Sequence, residues 1–161
     1  MQRMMKEDDF IVSKTDLKGI ITYGNETFIK ISGYQEKELL GAPHNIIRHE
    51  DMPAIVFKLL WDRIKNKEFI NAYVKNKSKN GDYYWVFANV TPSFDDNGKL
   101  IGYYSVRRKP SDIGVTTIEP VYAALLEAEK QGGMNASKEL LDNVLKSKGI
   151  SYDELVINLQ K

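Results

Sequence analysis

One short stretch, GAPHNIIRHEDMP from Gly41 to Pro53, gathers most of the residue types that could do chemistry. It holds both histidines of the chain, His44 and His49, together with Arg48, Glu50 and Asp51. Arg48 offers a planar fork suited to paired phosphate oxygens, and the plain alternative is an ion pair with Glu50 or Asp51. His49 can hydrogen-bond a ribose or a phosphate, or sit solvated in a loop. Asp51, two residues before Pro53, stands where a helix N-cap belongs and could cap and touch a ligand together. The two histidines and two acids are donors that hard or borderline metals use, but there is no third histidine and no helical i, i+4 pair, so no metal site is expected. Ser32, Ser93 and Ser105 lie in no recognisable nucleophile setting, so catalysis is not expected either.

Composition narrows the classes further. The formal net charge of +1 gives no nucleic-acid footprint. With no cysteine, disulfides, thiolate metal sites and cysteine–flavin adducts are excluded. No apolar run has the length of a membrane span and the start lacks the apolar core of a signal peptide, so a cytoplasmic protein without direct membrane insertion is expected. Fifteen of the 17 aromatic residues precede Ser111. Residues 1–111 carry a net charge of +4 and residues 112–161 of −3. The expected organisation is an N-terminal cap over residues 1–8, a compact domain over 9–110, and a helical tail over 111–161.

The elements that must position the stretch follow from pattern. Asp9–Lys14 and Ile20–Tyr23 read as a hairpin. Asn25 is a good N-cap for a short helix to Ile31, and Glu36–Leu40 makes another turn that Gly41 stops. From Pro53, Ile55, Val56, Leu59, Leu60 and Ile64 form one face of a helix with Trp61 beside them. Three strands then follow, 69–77, 83–91 and 100–108, joined by Lys79-Asn80-Gly81-Asp82 and Asp95-Asp96-Asn97-Gly98. The strand 83–91 is apolar on both faces, so both must be covered. In the tail, a helix capped at Thr116-Thr117 and stopped at Gly132-Gly133, a second over 135–148 and a third capped by Ser151 carry apolar stripes. These stripes either pack on the open sheet face and each other or serve as a partner or dimer surface.

The order of elements, the run ITYGNETF…SGY…ELLG and the run KNGDYYWV…GKLIGYYSVRR resemble a PAS domain over residues 9–110. Within that family, PHNIIRHEDMP is similar to the motif of FAD-binding PAS domains of bacterial aerotaxis, or energy-taxis, receptors. Glu50 stands where that motif usually has proline. The run Ile118-Glu119-Pro120-Val121-Tyr122 resembles the continuation of those receptors.

The resemblance implies an α+β PAS fold, a five-stranded antiparallel sheet in the order 2-1-5-4-3 with the helical middle on one face and a ligand between the two. It implies flavin contacts at Arg48, His49 and Asp51, with Asn25 and Asn76 near the pocket. Tyr84, Val86, Ala88 and Val90 would face the ligand, and Asn76 or Ser105 would reorient when the flavin is reduced. The family's tryptophan early in the strand after the long helix is Ile70 here, for which Phe69 or Trp61 could substitute.

The chain looks like the soluble sensory half of a split receptor whose membrane-bound chemotaxis transducer carries the HAMP and signalling parts and would recruit it to the inner membrane. The outer sheet face, Trp85, Phe87, Asn89 and Tyr104, would pass the signal to the tail or the transducer, and a homodimer could form through that face or the tail. Two alternatives remain open. One is a haem sensor with His44 or His49 as axial ligand. The other is an interaction or dimerisation module without a cofactor, which Ile70 favours.

Overall fold

A computed structural model describes the whole chain, residues 1–161. Strands β1 (Phe10–Thr15), β2 (Ile21–Gly24), β3 (Ile70–Lys77), β4 (Tyr83–Phe94) and β5 (Leu100–Arg108) form one antiparallel sheet in the order β2-β1-β5-β4-β3. That is the expected order. Pairing fixes which side chains share a face. Val74 lies opposite Val86, Asn76 opposite Tyr84, Ala88 opposite Arg107 and Val90 opposite Ser105, so these point to one side. Tyr73, Trp85 and Phe87 point to the other.

Helices α1 (Glu26–Ser32), α2 (Glu36–Leu39) and α3 (Ala54–Lys65) lie between β2 and β3 in the chain. Asn25 caps α1 as expected, its Oδ1 accepting from the Phe28 N–H at 3.1 Å. The same oxygen accepts from Val12 N–H, and the amide donates to Phe10 O at 2.9 Å. Asn25 thereby ties α1 to β1, with its side-chain oxygen accepting twice and its amide donating to the strand.

Helix α3 is not capped from its own strand of sequence. Its N-cap residue is Pro53, which has no side-chain acceptor. The cap comes from the tail, where the Glu129 carboxylate accepts from Ala54 N–H at 2.9 Å and from Ile55 N–H at 3.1 Å. Asp51, expected to cap this helix, instead pairs with Lys75 of β3 at 2.8 Å, because the 41–53 stretch runs beside that strand. An anion on two free N–H groups at a helix start is typically worth about 1 kcal/mol. Glu129→Ala is therefore expected to lower stability by about that much in urea unfolding, although it lies 75 residues from the helix it caps.

The tail covers the outer face of the sheet. Helix α4 (Asp112–Lys148) starts earlier than expected, at a Ser111 cap that accepts from Gly114 N–H. At Gly133 the backbone leaves helical geometry (φ 74°, ψ −168°), so α4 is two helices joined across a kink, with the break at the expected Gly132-Gly133 stop. Ile118, Tyr122 and Leu125 are buried on this sheet face, and the Trp85 and Tyr122 rings lie 6.1 Å apart. Gly114 is required by the close packing, since a Cβ there would overlap the Tyr73 hydroxyl. Helix α5 (Tyr152–Gln160) packs on β3 through Tyr152, Leu155 and Val156. The Tyr122 hydroxyl donates to the Tyr73 carbonyl at 2.7 Å, and the Tyr152 hydroxyl lies 2.6 Å from it.

This packing corrects the expected partner face. Trp85 and Phe87 are 5% and 4% exposed beneath the chain's own tail. The apolar stripe of α4 satisfies the outer face of β4, so these two rings are unavailable to another molecule. Asn89 is half-buried and donates to Asn71 at 3.0 Å, and Tyr104 is also half-buried.

Candidate functional site

Between the inner sheet face and the helical middle lies a cavity of about 280 Å³. That is at the small end of the ~300–1,000 Å³ range of ligand sites, which suits one flat group with the rest of a larger ligand outside. The 41–53 stretch forms one wall. Gly41 and Ala42 bond to Ile21, His44 N–H donates to Gly19 O, and Arg48 bridges to Asn76 across the cavity edge. A single 3-10 turn, His44–Ile47, buries Ile47 and places His44 and Arg48 on the cavity side. Helix α3 supplies Phe57, Leu60, Trp61 and Ile64, and the sheet supplies Val74, Asn76, Ala88, Val90 and Ser105.

The expected residues divide. Arg48, Trp61, Asn76 and Ser105 all line the cavity. Arg48 is exposed at its mouth, makes no ion pair, and lies over the Phe57 ring at 4.6 Å. The acids that could have neutralised it are used elsewhere, Glu50 by Lys77 at 3.1 Å and Asp51 by Lys75. His49 and Asp51 are outside the lining. His49 Nδ1 accepts from Asp51 N–H at 3.0 Å, and burial, with Lys75 nearby, lowers its pKa. Asn25 is also outside, held by β1 and α1. Tyr84 is fully buried beyond the cavity end. Its hydroxyl lies toward Asn76, its neighbour across the β3–β4 pair, and burial pushes its pKa up to about 12.

The missing tryptophan resolves locally. Ile70 is buried against Ile64 and Tyr103 and does not reach the cavity, while Phe69 is 59% exposed. Trp61 and Phe57 are the aromatic residues of α3 at the cavity, Trp61 being set edge-on to Tyr103 at 5.7 Å.

Three residues at the inner end were not singled out as a group in the sequence. Arg107 is 3% exposed. Its Nη2 donates to Ser13 Oγ at 2.6 Å, and Nη1 lies 3.4 Å from His44 Nε2. Its guanidinium also lies 4.8 Å from the centre of the Phe28 ring. Alternation along β5 places Arg107 on the face of Ser105, which was the available signal. Burial lowers its pKa to about 10, leaving it charged at neutral pH. His44 Nε2 is 3.0 Å from Ser13 Oγ, so this nitrogen is engaged by the wall.

Burial, then the Arg107 charge, pushes the His44 pKa from 6.5 down to about 3. The unfolded chain therefore takes up this proton first. The contribution to stability is complete above pH 6.5 and is lost as pH falls from there toward 3, by at most about 1.4 kcal/mol per pH unit. His44→Gln is expected to flatten the decline of urea-unfolding free energy between pH 7 and pH 5.

No aspartate or glutamate lines the cavity, whereas Lys18, Arg48 and Arg107 do. No three His, Asp or Glu side chains are grouped to hold a metal. No helix is long and apolar enough to cross a membrane.

The family model of the PAS fold matches residues 21–107. The chain belongs to the PAS family. This PAS chain is 44% identical over 121 residues to the aerotaxis receptor of Escherichia coli, covering 75% of the chain and 24% of that receptor. It is 23% identical over 141 residues to a nitrogen fixation regulatory protein of Klebsiella pneumoniae, covering 88% and 26%. It thus spans about a quarter of the length of these curated relatives. Among solved structures, a PAS domain from Colwellia psychrerythraea superposes with a TM-score of 0.57 at 19% identity, covering 62% of this chain and 85% of that one. A light-oxygen-voltage domain studied with a flavin analogue superposes with 0.57 at 20%, covering 76% and 86%.

Proposed function

We propose that this PAS chain is a non-catalytic redox sensor of energy taxis that binds FAD in the cavity between sheet and α3. The observation that carries the reading is the cavity wall. The PHNIIRHEDMP stretch walls a small site whose lining has three cations and no acid. Apolar Val74, Ala88 and Val90 and the Trp61 ring suit a planar aromatic system. Asn76, which can donate and accept, suits a ring edge of alternating amides. Arg48, unpaired at the mouth, would hold phosphates outside. Bound there, the flavin supplies a reversible two-electron couple.

The residues around the site give a route outward. Asn76 and Val74 belong to β3, whose Tyr73 carbonyl accepts from Tyr122 of the tail. Helix α3 lines the cavity and is capped by Glu129 of the same tail. A shift of β3 or α3 by the ligand therefore reaches α4 through two direct contacts. A few kcal/mol between two arrangements is enough to switch their populations. The likeness to the aerotaxis receptor supports a membrane-bound chemotaxis transducer as the partner, which would draw a cytoplasmic sensor to the inner membrane. Dimerisation through the tail or the remaining sheet face would be compatible with this.

The haem reading is less well supported. His49 lies outside the cavity and His44 turns Nε2 to Ser13 beside a cation. An absorption spectrum of the purified protein separates the readings. Flavin bands that bleach with dithionite are expected, whereas a Soret band or a featureless visible spectrum would contradict the proposal.

A further inference from the structure

We propose that Arg107, seated with Ser13 and His44, makes the inner end of the cavity an anion-recognising subsite that binds the reduced, anionic flavin ring more tightly than the oxidised ring. This rests on the FAD reading above and names the residue that would set its redox preference.

The inference starts from an imbalance of charge. A buried guanidinium is normally matched by a carboxylate, because an uncompensated charge out of water is costly. Arg107 has no ion pair, and no acid lines the cavity. Its neighbours are a hydroxyl, an imidazole and an aromatic face, all neutral. Its Nε–H has no acceptor. An orphaned buried donor on a residue of the cavity wall marks a place where a ligand acceptor is missing.

A purely structural arginine would not need this site. Ser13 and His44 could be satisfied by a neutral donor, and the surrounding wall of Phe28 and Ile11 would favour one. What a cation adds is attraction for negative charge, which is stronger at a desolvated position than in water. A ring that accepts two electrons and one proton gains one negative charge. In the experiment dithionite supplies the electrons and water the proton. Charge near the ring edge is one of the main means by which a protein tunes a flavin. Arg107 sits on β5 directly opposite Ala88, the smallest side chain on the cavity face of β4, so the guanidinium and the space for the ring adjoin.

The test compares the wild type with Arg107→Gln and Arg107→Lys. Dissociation constants for FAD are measured under anaerobic conditions before and after dithionite reduction, and the melting temperature is measured on each protein without flavin. The wild type should bind reduced FAD at least tenfold more tightly than oxidised FAD. A tenfold ratio corresponds to about 30 mV for a two-electron couple. Arg107→Gln should bring the ratio close to one, and Arg107→Lys should retain most of it. Without flavin, Arg107→Gln should melt at the same temperature or higher, since a buried unpaired charge is gone. An unchanged ratio in Arg107→Gln, with FAD still bound, would overturn this inference alone. A marked fall in its flavin-free melting temperature would assign Arg107 a structural role and also overturn it. Failure of the wild type to retain FAD in either state would overturn the underlying flavin reading.

Discussion

Tyr122→Ala is expected to destabilise the protein by about 3–5 kcal/mol, as large-to-small changes at buried aromatic positions do. Tyr122 is 2% exposed and joins three elements. Its ring lies against Trp85 of β4, its hydroxyl donates to Tyr73 O of β3, and it meets the Tyr152 hydroxyl of α5. Burial, together with Tyr152, holds the Tyr122 pKa well above its ordinary value, so it stays neutral throughout the working range. Tyr122→Phe separates packing from hydrogen bonding. It keeps the ring but leaves the Tyr152 hydroxyl without its partner, a cost of about 1–3 kcal/mol. For a chain of this size the alanine change should lower the melting temperature by on the order of 10 °C. Calorimetry of both variants checks the ordering. If Tyr122→Ala melts with the wild type, the tail is not docked on the sheet and the route from cavity to tail fails with it.

The second large effect concerns the cavity itself. Ala88→Leu is expected to reduce FAD binding at least tenfold while leaving the flavin-free protein as stable as before, or more so by about 1 kcal/mol. Ala88 is 3% exposed, lines the cavity, and lies between Ala72 of β3 and Arg107 of β5. Leucine there fills the volume that a flat ring needs, and its added carbons leave water for an apolar wall. Loss of binding with retained stability is the signature of a filled site. Unchanged binding would mean that the flavin lies elsewhere. Loss of both would show only that the core was overpacked, and the smaller Ala88→Val would then repeat the comparison.

Much of the frame was legible in the sequence because its signals are local. The Asn80-Gly81 turn and the alternation of β4 gave the hairpins, and tight turns leave little choice of partner strand. The two apolar faces of β4 required a second cover, and the stripe of Ile118, Tyr122 and Leu125 supplied it. Trp61, Asn76 and Ser105 reach the cavity for the same reason, each being fixed by helix or strand periodicity, whereas Arg48 was marked by its motif and is placed by the 3-10 turn.

The features that were not legible depend on distant pieces of chain. Nothing near Pro53 indicates that Glu129 caps α3, so the nearest carboxylate, Asp51, was the natural choice. Asp51 goes to Lys75 because the 41–53 stretch runs beside β3, a tertiary pairing. His49 carried the motif's promise but faces Tyr83 and Asp51. The isolation of Arg107 is likewise a property of the assembled cavity. Alternation places it inward, but only the full lining shows that no acid comes to meet it.

The central claim is that the cavity behind the PHNIIRHEDMP stretch holds one flavin. The most direct measurement is stoichiometry, with the wild-type protein unfolded to remove ligand, refolded with excess FAD and passed through a desalting column. One FAD per chain, measured by absorbance of the protein fraction, is the predicted result. A refolded protein that elutes colourless, with all the flavin in the salt volume, would contradict the account.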